Sequence, residues 1–118
     1  MQQFDRARFD HIGVVTTEKQ PGERFVESTR CWVTSPRAHS HNVEFLRFEP
    51  DSPVTGPIRT EPHVAYRVAD VRRAVEGHDV LLPPFDVGNG FLTVAFVMVG
   101  GAVVEFMQYA NPEEEGWF

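Results

Sequence analysis

Val43-Glu44-Phe45-Leu46-Arg47-Phe48 and Val104-Glu105-Phe106-Met107-Gln108-Tyr109 follow one pattern: Val-Glu-Phe, a long aliphatic residue, a polar residue and an aromatic. Upstream of each lies a second matched pair. Asp10-His11-Ile12-Gly13 and Pro62-His63-Val64-Ala65 both set a histidine before an apolar residue and then a small one. Two matches in the same order point to an internal duplication, in which each half opens on a His-bearing strand and closes on a Glu-bearing strand. The second interval is the longer because it holds a helical pattern.

The rest of the chain fits around these four segments. Phe9 to Thr16 reads as a strand, Glu18 to Gly22 as a turn, Arg24 to Thr34 as one strand and Asn42 to Phe48 as another. The first half has room for one more strand or a helical turn near Glu23. Glu49 to Pro62 carries four prolines and a glycine, which marks it as a connector. After the strand His63 to Val68, Ala69 to Gly77 is the one clear helix: Asp70 can cap it, Val71, Ala74 and Val75 share a face, and Gly77 can end it. Asp79 to Leu82 is a short apolar segment before Pro83-Pro84. Phe91 to Val99 and Ala102 to Tyr109 form a hairpin across Gly100-Gly101. The expectation is a single domain, 1–118, with a first module at 8–49, a linker at 50–61 and a second module at 62–110. The tail from Asn111 is expected to be frayed.

With 118 residues, 42% of them hydrophobic, the chain is long enough for one core and too short for two independent ones. A formal charge of −6 argues against nucleic acid as a partner. The longest apolar run, Val94 to Val104, is too short to span a bilayer, and the first ten residues lack the apolar stretch of a signal peptide. Cys31 has no second cysteine to pair with. A soluble, cytoplasmic protein is expected, with Cys31 as a buried structural thiol and His39 and His41 in a solvated loop.

Strand alternation places His63, Ala65 and Arg67 on one face of their strand and Val64, Tyr66 and Val68 on the other, against helix and core. Glu105 stands among Val103, Val104, Phe106 and Met107, where an isolated carboxylate would be costly without a cation or a donor. Two histidines and two glutamates at matched positions solve that problem together. Imidazole nitrogens and carboxylate oxygens without thiolates suit a catalytic Zn, Ni, Co, Mn or Fe ion. The second half is the more complete, so His63 and Glu105 are the pair its pattern supports most directly.

These residues resemble the vicinal oxygen chelate superfamily, which includes glyoxalase I, methylmalonyl-CoA epimerase, extradiol dioxygenases and bleomycin- and fosfomycin-resistance proteins. The motifs that carry the resemblance are Phe9-Asp10-His11-Ile12-Gly13, Val43-Glu44-Phe45, Pro62-His63-Val64-Ala65 with Val68-Ala69-Asp70, and Val103-Val104-Glu105-Phe106. The resemblance implies an α+β fold of paired βαβββ modules forming a curved, cup-shaped sheet, here with the first helix shortened or missing. It implies one divalent metal on His11, Glu44, His63 and Glu105, and a homodimer, either side by side or with modules exchanged. It also implies proton abstraction from a small oxygen-chelating substrate by Glu105 or Glu44, as in lyases and isomerases of that superfamily. Arg67, Arg47 and Trp32 are candidate substrate contacts. A ligand-binding module without chemistry, its cup lined by Phe45, Trp32, Phe91 and Met107, is the alternative; an extradiol-type dioxygenase is a third reading.

Overall fold

The computed structural model describes residues 8–88 and 90–114. Among them, eight strands form a single sheet: β1 (Arg8–Val15), β2 (Arg24–Val26), β3 (Cys31–Val33), β4 (Val43–Phe48), β5 (His63–Arg67), β6 (Asp79–Val87), β7 (Leu92–Val99) and β8 (Ala102–Tyr109). Two one-turn helices, α1 (Pro57–Thr60) and α2 (Val71–Ala74), and a 3-10 turn at Pro36–Ala38 complete it. The strand order, β2-β3-β4-β1-β5-β8-β7-β6, is the same module order written outward from the middle twice. Each module's first strand runs parallel to its last, β1 with β4 and β5 with β8. The modules meet through antiparallel β1–β5 pairing, with Gly13 opposite His63 and His11 opposite Ala65. Paired modules in a curved sheet are what the resemblance implies, and the repeated strand order matches the duplication in the sequence.

Local chemistry explains most of the boundaries. Gly100 and Gly101 both have positive φ, 55° and 84°, which a primed hairpin turn requires and which other residues resist. The Asp70 side chain accepts from the backbone N–H groups of Arg72 and Arg73, capping α2. The helix is shorter than the sequence pattern suggests: one turn, then a run of turns ending at Gly77 with φ 79°. Its apolar face still does the expected work. Val71, Ala74 and Val75 cover Val97, Phe106, Tyr66 and Val68 on the convex side.

Three expectations change. Arg24 to Thr34 is not one strand but the hairpin β2–β3, turned at Glu27 to Arg30, where Arg30 takes φ 47°. Pro83 and Pro84 do not end a strand; β6 continues through them to Val87 as an edge strand with register shifts between Val80 and Phe85. An edge strand leaves outward N–H groups unused, so proline is tolerated there. The connector is also more ordered than its prolines imply. Val54 and Ile58 are buried in the concave core with Leu82, Phe85 and Val87, and the Arg59 guanidinium donates to the carbonyls of Glu49, Ser52 and Val54. In the first module a turn stands where the second has α2, and Phe9 and Ile12 on that side are exposed. Among the described residues no helix is long and apolar enough to cross a membrane.

Candidate metal centre

The four central strands, β4-β1-β5-β8, each project one polar side chain into the concave face: Glu44, His11, His63 and Glu105. All four are buried. His11 Nε2 lies 3.3 Å from Glu44 Oε1 and 3.4 Å from Glu105 Oε1. His63 Nε2 lies 3.2 Å from the same Glu105 oxygen and 3.8 Å from that of Glu44. The two imidazoles stand edge to face, with centroids 5.6 Å apart. The first module, although it lacks the helix of the second, brings His11 and Glu44 to the same point. His11, Glu44 and His63 offer ligand atoms that all lie within 4.8 Å of one another.

A second layer, not singled out from the sequence, orders His11. Its Nδ1–H donates to buried Asp10 Oδ2 at 2.7 Å, and Arg37 holds the other Asp10 oxygen. Arg37 also donates to the Asp10 carbonyl and to Asn42 Oδ1. A carboxylate behind a histidine fixes the tautomer and aims Nε2 at the cavity. Burial works against the Asp10 carboxylate, but the hydrogen bond and charge of His11, then Arg37, hold it below the usual range. The only sequence signal was an acid beside a histidine in an apolar strand.

Burial and charge oppose each other at this point. Burial opposes a charged His11, yet the Glu44 carboxylate, then contacts with Asp10, Glu105 and Glu44, raise it to about 12. Burial would likewise raise Glu105, but His11 and His63 lower it to about 2. His11 Nε2 and both ring nitrogens of His63 lack a directed hydrogen bond although all are buried. Donors that share one ion at 2.0–2.2 Å stand roughly 3 to 3.5 Å apart when adjacent. The donor set and its spacing thus fit a divalent ion.

The surrounding cavity is narrow, about 50 Å³, and its wall is apolar, including Val33, Leu46, Val94, Phe96 and Met107. Cys31 is also in the wall; burial, then the Glu44 charge, push its thiol up to about 12, so it stays neutral. Trp32 and Arg47, expected as substrate contacts, do not face this cavity. They alternate with Cys31, Val33, Leu46 and Phe48, which do, and so lie on the convex side. There Arg47 is engaged by Glu23 and sits over the Trp32 ring. Phe45 is excluded by the same alternation, and Phe91 lines a separate groove near the sheet's edges. Arg67 is on the cavity side of β5 but beyond the four residues, stacked on Tyr109. His39 and His41 touch each other in their loop and do not join the centre.

Two solved structures superpose on nearly the whole chain. The hypothetical protein BH1468 from Bacillus halodurans C-125 matches with a TM-score of 0.67 and 21% identity over 91% of this chain and 97% of that one. Methylmalonyl-CoA epimerase from Mycobacterium tuberculosis matches with a TM-score of 0.64 and 13% identity over 94% of each. The chain has their fold. It is the cup of paired βαβββ modules that the vicinal oxygen chelate resemblance implied. No protein-family model and no curated protein matches the sequence.

Proposed function

We propose that the protein is a metal-dependent enzyme of the glyoxalase or epimerase type, a member of the vicinal oxygen chelate superfamily that moves a proton on a small oxygen-chelating substrate. The observation that supports this reading is the convergence of His11, Glu44, His63 and Glu105 on one buried point. These four residues would hold the ion, with Asp10 orienting His11 from behind. A divalent metal would supply Lewis-acid stabilisation of the negative charge that develops on adjacent substrate oxygens.

The chain's own part is proton transfer. Glu105 and Glu44 come from different modules, and both reach His11 Nε2. One carboxylate, free of the ion while it acts, would take the proton from the carbon next to a carbonyl, and the other, or the same one, would return it. Return by the other carboxylate inverts the carbon, as an epimerase does. The apolar wall excludes water and strengthens both charges. A cavity of about 50 Å³ admits a reacting group of a few atoms, so a large carrier such as a coenzyme A thioester would remain outside it.

Metal analysis and solvent exchange test the proposal together. Protein purified without chelator is expected to carry about one divalent ion per chain. It should also wash deuterium from solvent into the α-carbon of short 2-oxo acids, thiohemiacetals or acyl thioesters, observed by proton NMR. Absence of metal, and no uptake on titration with Zn, Ni, Co or Mn, would sink the idea. The apolar wall favours a second reading, a ligand-holding module without chemistry. Unchanged turnover in the Glu44→Gln, Glu105→Gln double variant would exclude proton shuttling by either residue, and ligand binding without turnover would favour the module.

A further inference from the structure

A second cavity, about 280 Å³, gathers cationic and hydroxyl donors at the start of β1 and the ends of β5 and β8. Arg8, Arg67, Met107 and Tyr109 are among its lining residues. Arg8 and Arg67 face each other as direct partners in the antiparallel β1–β5 pair. Like charges so placed repel. No carboxylate among the described residues forms an ion pair with either, and Asp10, the nearest acid along β1, is already committed to His11 and Arg37.

Two donors at this end of the sheet are unspent. Arg67 Nη2 and the Tyr109 hydroxyl are both buried without a hydrogen-bond partner. Buried donors are nearly always paired, and each orphan is costly. The Arg67 guanidinium lies over the Tyr109 ring with its carbon 4.2 Å from the centroid, a contact that restrains its planar fork. A restrained arginine, a tyrosine hydroxyl and a second, exposed arginine at the rim are the donor set that a carboxylate or phosphate group needs.

We infer that this cavity is a binding site for a small oxyanion, a carboxylate or phosphate group, with Arg67 and Tyr109 as donors and Arg8 as the charge at its mouth. The site goes beyond the metal reading and shares none of its donors with the four residues of the centre. Met107 lines both cavities. Arg67 is one two-residue step, roughly 7 Å, along β5 from Ala65, which pairs with both His11 and Glu105.

Calorimetric titration of the full chain, stripped of metal and passed free of chelator, tests this directly. Malonate and inorganic phosphate are added separately at low ionic strength, with malonamide as the uncharged control. One of the two anions is expected to bind at one per chain, the tighter one identifying the group, while malonamide does not bind. Arg67→Gln should weaken binding about tenfold or more, and Arg8→Gln and Tyr109→Phe several-fold each. Added salt should weaken it as well. Should Arg67→Gln fail to fold, the exposed Arg8→Gln and the near-isosteric Tyr109→Phe carry the test. Equal affinity in wild type and in both of those variants overturns the site. So does anion binding that appears only after metal is restored, since the anion then sits on the ion. Anion binding retained in a protein that takes up no metal leaves this site standing and defeats the metal proposal alone.

Discussion

Gly13 shows how a residue with no functional group controls the centre. It pairs with His63 across β1–β5, and a Cβ added there would lie 2.0 Å from His63 Cε1. The imidazole occupies the space a side chain would need. Gly13→Ala is expected to displace the His63 ring, cost about 1–3 kcal/mol of stability and weaken metal binding at least about tenfold. A metal titration alongside a thermal melt checks it; wild-type affinity in the variant would show that His63 is not held by this contact. Asp10 acts from the other side of the pair. Asp10→Asn keeps the shape but removes the charge that holds His11 Nδ1–H, and metal affinity should drop about 10–100-fold. Neither role could be read from spacing, because the close approach of Gly13 to His63 exists only after β1 and β5 pair, and the grip on Asp10 only after Arg37 of the 3-10 turn folds against β1. The four polar side chains were legible for the opposite reason: each has a counterpart at the matched position of the other half, and Glu105 stands in an otherwise apolar strand.

Elements were read well where a local signal sets them and poorly where tertiary position does. The Gly100-Gly101 hairpin and the Asp70 cap are written in residues that suit few other conformations. The β2–β3 hairpin has no such mark; Arg30 adopts positive φ without being glycine, and apolar alternation runs across the turn. Proline in β6 misled because its tolerance depends on being at an edge, which only the strand order reveals. The connector is the most consequential case. Its prolines mark a connector without periodic signal, yet it forms a strap that seats Val54 and Ile58 in the concave core beside the candidate centre. Ile58→Ala should cost about 2–4 kcal/mol and enlarge the cavity. Denaturant melts would measure the first effect. Tolerance of bulkier substrates or apolar probes would measure the second, and unchanged selectivity would mean the strap is structural only.

At the scale of the whole molecule, the duplicated halves bring two acids and two bases into one buried space, which ties folding to pH and to metal. Without metal, the folded state keeps a proton on His11 well above its ordinary 6.5, up to about 12. That contribution is complete below pH 6.5 and is lost progressively as pH rises towards 12. Glu105 is shifted the other way, from 4.5 to about 2, so its contribution is present above pH 4.5 and is lost as pH falls towards 2. The metal-free protein is therefore expected to be most stable between about pH 4.5 and 6.5 and to weaken on both sides. A divalent ion needs the neutral imidazole, so it must displace the His11 proton on binding. Its affinity should then rise with pH, and proton release on binding should be measurable as a buffer-dependent heat. Melting temperatures from pH 3 to 9, at fixed ionic strength with and without metal, separate the cases. The alkaline decline should appear in the stripped protein and shrink when metal is present. A stripped protein whose melting temperature climbs from pH 6.5 to 9 would mean that His11 is neutral in the fold and that the two glutamates do not act on it as a charged pair.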